Sequence, residues 1–272
     1  MYLGIENIDH PVIASQDLDN TRAQFERLGF TVPPRGSHIE WGTGNLCIMF
    51  PDDYLEVRGI IDPERFTMHL DEHLEEHGEG LMGVAFGTSD VKASYAEALE
   101  HGINTGELRS LRRNFEHPEG WTQPAFELFA PDADDVEGLM HVVVIEHLTP
   151  ELIRRPDFLD HPNGCVGINE MRGTIENVGR VADKMRRLLG DDAVFQKPDG
   201  LVLTVPSGQR IALDKAETAG LLSMTMRVED LDRTERLLID NDVAFVRDGK
   251  TMTVSASDAC GTTLHFTEAG PG

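Results

Sequence analysis

An internal repeat constrains the fold of this chain more than any other feature. An apolar, strand-like run followed by a helical pattern occurs four times, around SQDLDNTRAQFERLGF, TSDVKASYAEALEHGI, IENVGRVADKMRRLLG and VEDLDRTERLLIDNDV. Each helix begins at a residue whose side chain can accept hydrogen bonds from first-turn amides, namely Asp17, Asp90, Asn177 or Asp230. The sequence therefore predicts four copies of one supersecondary unit.

Each helix is followed by a stretch that predicts three further strands. In the third copy these strands are AVFQ, GLVLTVP and RIALDK, separated by turns at Asp199-Gly200 and Ser207-Gly208. The unit is thus strand–helix–strand–strand–strand, or βαβββ. Paired units of this kind predict an α+β protein of two domains, each a curved, mixed, mostly antiparallel sheet with helices outside.

The spacing of the four caps indicates how the units pair. Asp17 and Asp90 lie 73 residues apart (90 − 17), whereas Asp90 and Asn177 lie 87 residues apart (177 − 90). The longer interval contains HLTPELIRRPDFLDHPNG, which is rich in proline and charge and typical of a linker. We predict a first domain over residues 1–149, a linker over 150–163 and a second domain over 164–272.

The composition limits the partners and the compartment. The 48 acidic residues outnumber the 24 basic ones, which gives a formal net charge of −24 at pH 7. A negative field of this size repels nucleic acid and anionic membranes, so we expect neither as a partner. The three cysteines are odd in number and widely spaced, which argues against a disulfide framework. Without an apparent signal peptide or a long apolar run, we expect a cytoplasmic protein that acts on a small molecule.

Three segments carry a resemblance to a known superfamily. IDHPVIASQDLDNTRAQFERLGF resembles the opening strand and helix of the glyoxalase-like branch of the vicinal oxygen chelate superfamily, whose fold includes glyoxalases, bleomycin-resistance proteins and extradiol dioxygenases. GSHIEWGTGNLCIMFPDDYLEVRGI resembles its Gly-Thr-x-Asn strand and the following Tyr-Ile/Leu-Glu strand. VVVIEHLTPELIRRPDFLDHPNG resembles the block that closes its second unit. The resemblance implies βαβββ units that pair around a cup holding a metal or a ligand.

The resemblance also implies a metal site. Metal ligands in the superfamily come from the first and fourth strands of paired units, which points to His10, Glu56 and Glu146. Strand alternation places His10 on one face together with Ile8. In VVVIEHL, Glu146 and His147 point to opposite faces, and the strand geometry favours Glu146 as the ligand.

One imidazole and two carboxylates suit a divalent metal such as Mn²⁺, Fe²⁺, Zn²⁺ or Mg²⁺, and they leave positions open for substrate. The metal would act as a Lewis acid, and we assign the role of general base to Glu146. The alternative is that His10 is a core residue and that Glu56 pairs with a nearby arginine.

Five further residues are candidates for substrate binding. His38, Trp41 and Asn45 lie in GSHIEWGTGN, and His147 and Arg155 lie in the block that enters the linker. Asn45 would offer its amide to a substrate oxygen, and Arg155 would bind a carboxylate through two hydrogen bonds. The alternatives are a hairpin in which Trp41 simply packs and an ordinary solvated linker arginine.

Three functions are compatible with the sequence. The first is a metal-dependent lyase, isomerase or dioxygenase that acts on a small oxygenated substrate. The second is a metal-free protein that binds or sequesters a small molecule, and the third is a structural paralogue without chemistry. The second domain offers only Glu170 and His265 at comparable positions, so we expect it to be structural, a lid or the surface of a homodimer.

Overall fold

All four predicted units are present in the computed structural model, which describes residues 2–117, 119–132 and 142–269. Each main helix begins at its predicted cap, because the side chains of Asp17, Asp90, Asn177 and Asp230 accept hydrogen bonds from first-turn amides. Such a cap stabilises a helix by about 1 kcal/mol. The predicted α+β class, with two mixed and mostly antiparallel sheets, is confirmed.

The first sheet is built from the strands of the first two units. They are β1 (Ile5–Ser15), β2 (Gly36–His38), β3 (Thr43–Met49), β4 (Tyr54–Ile60), β5 (Gly80–Thr88), β6 (Arg109–His117), β7 (Gly120–Thr122), β8 (Ala125–Phe129) and β9 (Val142–His147). Their order is β2-β3-β4-β1-β5-β9-β8-β6-β7. The parallel pairs β1–β4 and β5–β9 flank the central antiparallel pair β1–β5.

The second sheet repeats this layout with the strands of the last two units. They are β10 (Cys165–Ile175), β11 (Val194–Lys197), β12 (Gly200–Thr204), β13 (Arg210–Lys215), β14 (Gly220–Val228), β15 (Phe245–Asp248), β16 (Thr251–Val254) and β17 (Thr263–Glu268). Their order is β11-β12-β13-β10-β14-β17-β16-β15, so β10 and β14 take the central places that β1 and β5 take in the first sheet.

The helices connect the strands within and between the units. They are α1 (Leu18–Arg27), α2 (Leu70–His77), α3 (Val91–Glu100), α4 (Pro156–Leu159), α5 (Val178–Leu189) and α6 (Leu231–Asp240). Short 3-10 turns occupy Tyr2–Gly4, Pro150–Leu152, Asp191–Ala193 and Ala256–Asp258. No helix in the described part of the chain is long and apolar enough to cross a membrane.

The first sheet closes on itself. β2 pairs antiparallel with β6 through the residue pairs Ser37–Asn114 and His38–Arg113, in addition to its pairing with β3. Closure removes free strand edges and encloses the space inside the sheet. In the second sheet, β11 and β15 stand at the two ends, and no ladder among the described residues joins them.

A β-bulge in β1 decides which of its side chains face the inside of the first sheet. Ile8 pairs with Phe86 of β5 and His10 pairs with the next residue, Ala85, so that Asp9 is an extra residue in the strand. Ile8 therefore belongs to the hydrophobic core while His10 faces the opposite side. The prediction that Ile8 and His10 share one face is wrong, because the bulge interrupts the alternation.

The two sheets are held together by a common core and by a buried glutamine. Hydrophobic residues of both sheets form one continuous cluster. Gln209, just before β13, accepts a hydrogen bond from Ile8 N at 2.9 Å and donates to Ile8 O at 3.2 Å and to Asp53 Oδ2 at 2.9 Å. Asp53 also accepts from the amide of Ile168. The second half of the chain thus fixes the strand that carries His10.

Candidate active site

The closed first sheet encloses a cavity of about 200 Å³. Most of its wall is apolar, and a small set of polar and charged side chains from both units lines it as well: His10, His38, Asn45, Glu56, Arg58, Glu107, Arg109, Arg113 and His147. An enclosed apolar cavity with a few convergent polar groups is the usual form of a small-molecule site.

His10 stands at the centre of a buried polar chain. Its Nδ1 donates to Asp9 Oδ1 at 2.6 Å, and its Nε2 lies 3.4 Å from Glu56 Oε2. Burial by itself lowers the pKa of His10, but the hydrogen bonds to Asp9 and Glu56 outweigh this effect and raise the pKa above its usual value. The two carboxylates therefore favour the protonated, cationic form of the imidazole.

Asp9, the extra residue of the bulge, is shared by two histidines. Its Oδ1 accepts from His10 and also from His147 Nε2 at 3.0 Å, and Arg154 Nη2 lies 3.8 Å from its Oδ2. Burial alone raises the pKa of Asp9, but His147 and His10 together lower it far below its usual range. Asp9 therefore stays ionised and fixes the orientation of both rings.

Glu56 carries the second carboxylate of the chain. It accepts from Asn45 Nδ2 and from Arg58 Nη2, each at 2.8 Å. Burial raises the pKa of Glu56, but the charge of Arg58 and the contact with His10 lower it well below its usual value. The hydroxyl of Tyr54 completes the group, 3.5 Å from His10 Nε2.

The hairpin candidates line the same cavity. His38 Nδ1 lies 2.8 Å from the hydroxyl of Thr43, and its ring centroid is 5.3 Å from that of Trp41. Burial lowers the pKa of His38 to about 4, so this ring is neutral at pH 7. The side chain of Asn45 donates to Glu56 Oε1 through Nδ2 and accepts from Arg113 Nη1 through Oδ1. The proposed substrate-binding role of His38, Trp41 and Asn45 stays a prediction.

Glu146 does not reach the cavity. Its Oε2 accepts a hydrogen bond from Val91 N at 3.0 Å, at the first residue of α3. Val144, which shares a strand face with Glu146, lies in the hydrophobic core. Ile145 and His147, on the opposite face, line the cavity. The alternation of the strand was predicted correctly, but the face assigned to the cup was the wrong one. Consequently neither the metal-ligand role nor the general-base role of Glu146 is supported.

Arg155 also lies outside the cavity. It precedes α4, its Nε pairs with Asp157 at 3.2 Å and its Nη2 pairs with Glu119 at 3.1 Å. The guanidinium also packs over the ring of Phe158. The prediction that Arg155 binds substrate in the cup is therefore not supported; the alternative was an ordinary solvated linker arginine, and the structure shows a partly exposed linker arginine held in two ion pairs.

The donor set of the cavity does not fit the predicted three-ligand metal centre. His10 and Glu56 face one another, but the described residues bring no third His, Cys, Asp or Glu into a metal-binding group with them. Glu56 is already paired with Arg58, the arginine partner foreseen in the alternative to metal binding. A cation beside a prospective ligand disfavours a second cation there.

The sequence did not reveal two residues of the site, Asp9 and Arg113. Asp9 turns toward His10 only because of the bulge. The only sequence signal for Asp9 was its position directly before His10 in the run IDHP. Arg113 reaches the cavity through the β2–β6 closure, where its Nη1 donates to Asn45 Oδ1 at 3.0 Å and to Cys47 Sγ at 2.8 Å. Nothing local in RSLRRNFEH distinguishes this arginine from its neighbours.

Solved structures resemble this fold at low sequence identity. A hypothetical protein from Staphylococcus aureus superposes with a TM-score of 0.75 at 12% identity, covering 96% of this chain and 99% of that one. A mutant 4-hydroxymandelate synthase from Streptomyces coelicolor gives 0.62 at 12% identity, covering 98% and 94%. A fusion protein of a xylose isomerase-like TIM barrel and a 4-hydroxyphenylpyruvate dioxygenase gives 0.56 at 12% identity, covering 98% of this chain and 49% of the fusion. These likenesses concern the fold alone.

Sequence comparison supplies the family. No curated protein matches the chain. The family model of the glyoxalase-like domain matches residues 8–189, which includes all of the first sheet except the first three residues of β1, the linker and the start of the second sheet. More than half of the chain is covered by this match, and the paired βαβββ architecture agrees with it. The chain therefore belongs to the glyoxalase-like domain family of the vicinal oxygen chelate superfamily.

Proposed function

We propose that the first sheet houses an enzyme of the isomerase or lyase class, which transfers a proton to or from a small oxygenated substrate through His10. The observation that carries this proposal is the buried chain Asp9–His10–Glu56 at the wall of an enclosed cavity. A histidine with one nitrogen fixed by a carboxylate and the other facing a cavity is arranged for acid–base chemistry.

The side chains around His10 suit proton donation at neutral pH. Asp9 fixes the ring through Nδ1, so the proton available for transfer is the one on Nε2. The raised pKa of His10 keeps that proton in place until a substrate oxygen competes for it. Glu56 Oε2 and the Tyr54 hydroxyl lie 3.4 and 3.5 Å from Nε2. In the proposed reaction the Nε2 proton passes to a substrate oxygen, and the ionised carboxylate of Glu56, which also lines the cavity, accepts the proton from the adjacent carbon.

A metal-dependent enzyme, such as a glyoxalase-like lyase or a dioxygenase, is the other enzymatic hypothesis. It would use Mn²⁺, Fe²⁺, Zn²⁺ or Mg²⁺, with His10 and Glu56 as two of the ligands. The absence of a third donor group among the described residues and the pairing of Glu56 with Arg58 favour the proton-transfer form.

The experiment measures deuterium incorporation from D2O into a panel of small carbon acids, including 2-oxo acids and 2-hydroxy acids, by proton NMR. His10→Gln is expected to lower the catalysed rate by about 100-fold or more, since general acid–base catalysis typically contributes 10²–10⁴. His265→Gln, on the corresponding face of the second sheet, is the matched control and should leave the rate unchanged. Equal rates for wild type and His10→Gln would refute the proposal.

Elemental analysis of the same preparations separates the two enzymatic forms. Stoichiometric manganese, iron or zinc in the wild type that is lost in His10→Gln would replace proton transfer with the metal-dependent form. A preparation that catalyses exchange without stoichiometric metal, and is insensitive to chelators, would support the form proposed here.

A binding protein without turnover is the second candidate. The mostly apolar wall of the cavity favours it, because such walls hold ligands without any chemistry. This function predicts no exchange activity in the wild type and unchanged ligand affinity in His10→Gln, measured by isothermal titration calorimetry.

A further inference from the structure

The cavity of the first sheet is positively charged inside a strongly acidic protein. The chain as a whole carries a net charge of −24. Among the described residues, however, two guanidinium groups and the imidazolium of His10 surround the two buried carboxylates of the polar chain, Asp9 and Glu56, and the remaining charged residues of the cavity lining, Arg109 and Glu107, offset each other. The guanidinium groups belong to Arg58 and Arg113, which both line the cavity. A surplus of one positive charge in a place sheltered from water suits a singly charged anion.

Arg58 offers a hydrogen-bond donor that the protein leaves unused. The residue is only 8% exposed, and its Nε and Nη2 donate to Glu56 at 3.4 and 2.8 Å. Its Nη1 is buried and has no hydrogen-bond partner among the described residues. A buried donor without a partner costs about 1–3 kcal/mol, and more when it is charged. Arg58 lines the cavity, so a ligand whose acceptor atom reaches Nη1 would remove that cost.

Arg113 supplies the second cation from the opposite end of the sheet. It is 6% exposed, and its Nη1 donates to Asn45, whose other side-chain atom donates to Glu56. The amide of Asn45 therefore connects the Arg113 wall with the Glu56–Arg58 pair. This link exists because β2 pairs with β6, so the positive region is a consequence of sheet closure.

The remaining wall fits a compact hydrocarbon. It is formed by the apolar side chains of Trp41, Met68, Phe126, Leu128, Ile145 and Ile153. The volume of about 200 Å³ lies below the ~300–1,000 Å³ of sites for drug-sized ligands, so the occupant is small.

We propose that the ligand of this cavity is a small organic monocarboxylate with an aromatic or branched hydrocarbon body, whose carboxylate is bound by Arg58. This inference names the substrate class for the proposed function and rests on it in that respect. The binding step itself needs no turnover. A guanidinium binds a carboxylate through charge-assisted hydrogen bonds, which are the strongest available to a side chain.

The experiment compares acids with their neutral amides by isothermal titration calorimetry at pH 7. The probes are benzoate, phenylacetate and 4-methylpentanoate, each paired with its primary amide. We expect at least one acid to bind, and its amide to bind about tenfold more weakly or worse. Equal affinities of acid and amide, or no binding of any of the three acids at millimolar concentration, would overturn the proposal.

Variants locate the carboxylate at Arg58. Arg58→Lys keeps the charge but loses the planar fork, and should weaken acid binding about tenfold while leaving amide binding unchanged. The double variant Arg58→Gln/Glu56→Gln avoids a lone buried charge and should abolish the preference for the acid. Arg155→Lys, outside the cavity, is the matched control and should bind like the wild type. An acid preference that persists in the double variant contradicts the assignment.

The two proposals fail in distinguishable ways. His10→Gln should lose proton exchange and keep a reduced preference for acid over amide, because it removes one positive charge but leaves Arg58 in place. An acid preference with no exchange activity in the wild type would leave a carboxylate-binding protein. Exchange activity on substrates without any acid preference would leave the enzyme and refute its substrate class.

Discussion

The two sheets of this protein share one plan, yet among the described residues only the first builds a buried polar site. Both central strands carry the same bulge: Asp9 is the extra residue between Ile8 and His10, and the register of β10 shifts in the same way between Ile168 and Glu170. The bulge therefore presents His10 in one sheet and Glu170 in the other at equivalent places.

The surroundings of these two residues differ because one sheet is closed and the other is open. His10 is 3% exposed and meets two buried carboxylates, those of Asp9 and Glu56. The side chain of Glu170 is 13% exposed and pairs with Arg210 at 2.7 Å and Arg172 at 3.6 Å, whose side chains are about half exposed. Because these arginine partners reach water, solvent screens the ion pairs of Glu170 more than those of His10. The β-bulge alone therefore does not make a functional site. Closure of the first sheet supplies the burial that perturbs the pKa of His10.

The first prediction concerns Gln209, the residue of the second half of the chain that hydrogen-bonds to Ile8 and Asp53 of the first half. Gln209→Leu removes one hydrogen bond each from Ile8 N, Ile8 O and Asp53 Oδ2, and should lower the free energy of unfolding by about 3 kcal/mol. Thermal unfolding measures this. Gln196→Leu, on an exposed strand of the same sheet, is the control and should change stability by less than about 0.5 kcal/mol. Equal effects would mean that the two halves are coupled by the apolar core alone.

The second prediction disturbs closure. A Cβ on Gly36 would lie 2.5 Å from Asn45 Oδ1 and 3.4 Å from Arg113 Nη1, at the strand that closes the first sheet. Gly36→Ala should therefore cost about 2 kcal/mol and weaken carboxylate binding in the cavity. Gly220→Ala in β14 of the open sheet meets no atom within 4 Å and serves as the control. Unfolding and calorimetric titration of both variants check the difference; intact ligand binding in Gly36→Ala would show that closure is not what shapes the site.

The third prediction concerns the charge on His10. Asp9→Asn removes the carboxylate on Nδ1 and should lower the pKa of His10 by about one unit or more, equivalent to about 1.4 kcal/mol. Because the folded-state pKa is raised, the charged ring contributes stability below about pH 6.5, and this is lost as pH rises through the folded pKa. NMR titration of the histidines measures the shift. Asp52→Asn, at an exposed neighbouring position, is the control, and an unchanged His10 pKa in Asp9→Asn would assign the perturbation to Glu56.

Local sequence determined the units and several of the site residues. The helix caps and the turn residues act within a few positions of themselves, so all four units could be predicted from their spacing. His10, His38, Trp41, Asn45, Glu56 and His147 were recognised as candidates because polar side chains in strand patterns are conspicuous, and the structure brings all six to one cavity.

Tertiary structure decided which of these side chains meet and in what electrostatic state. Alternation states that Glu146 and His147 point apart, but only packing against α3 fixes which of them faces the cavity. A bulge turns Asp9 toward His10, sheet closure brings in Arg113, and Gln209 reaches Ile8 from 201 positions along the chain. These choices depend on long-range strand pairing and on burial, which a local pattern of residues does not encode.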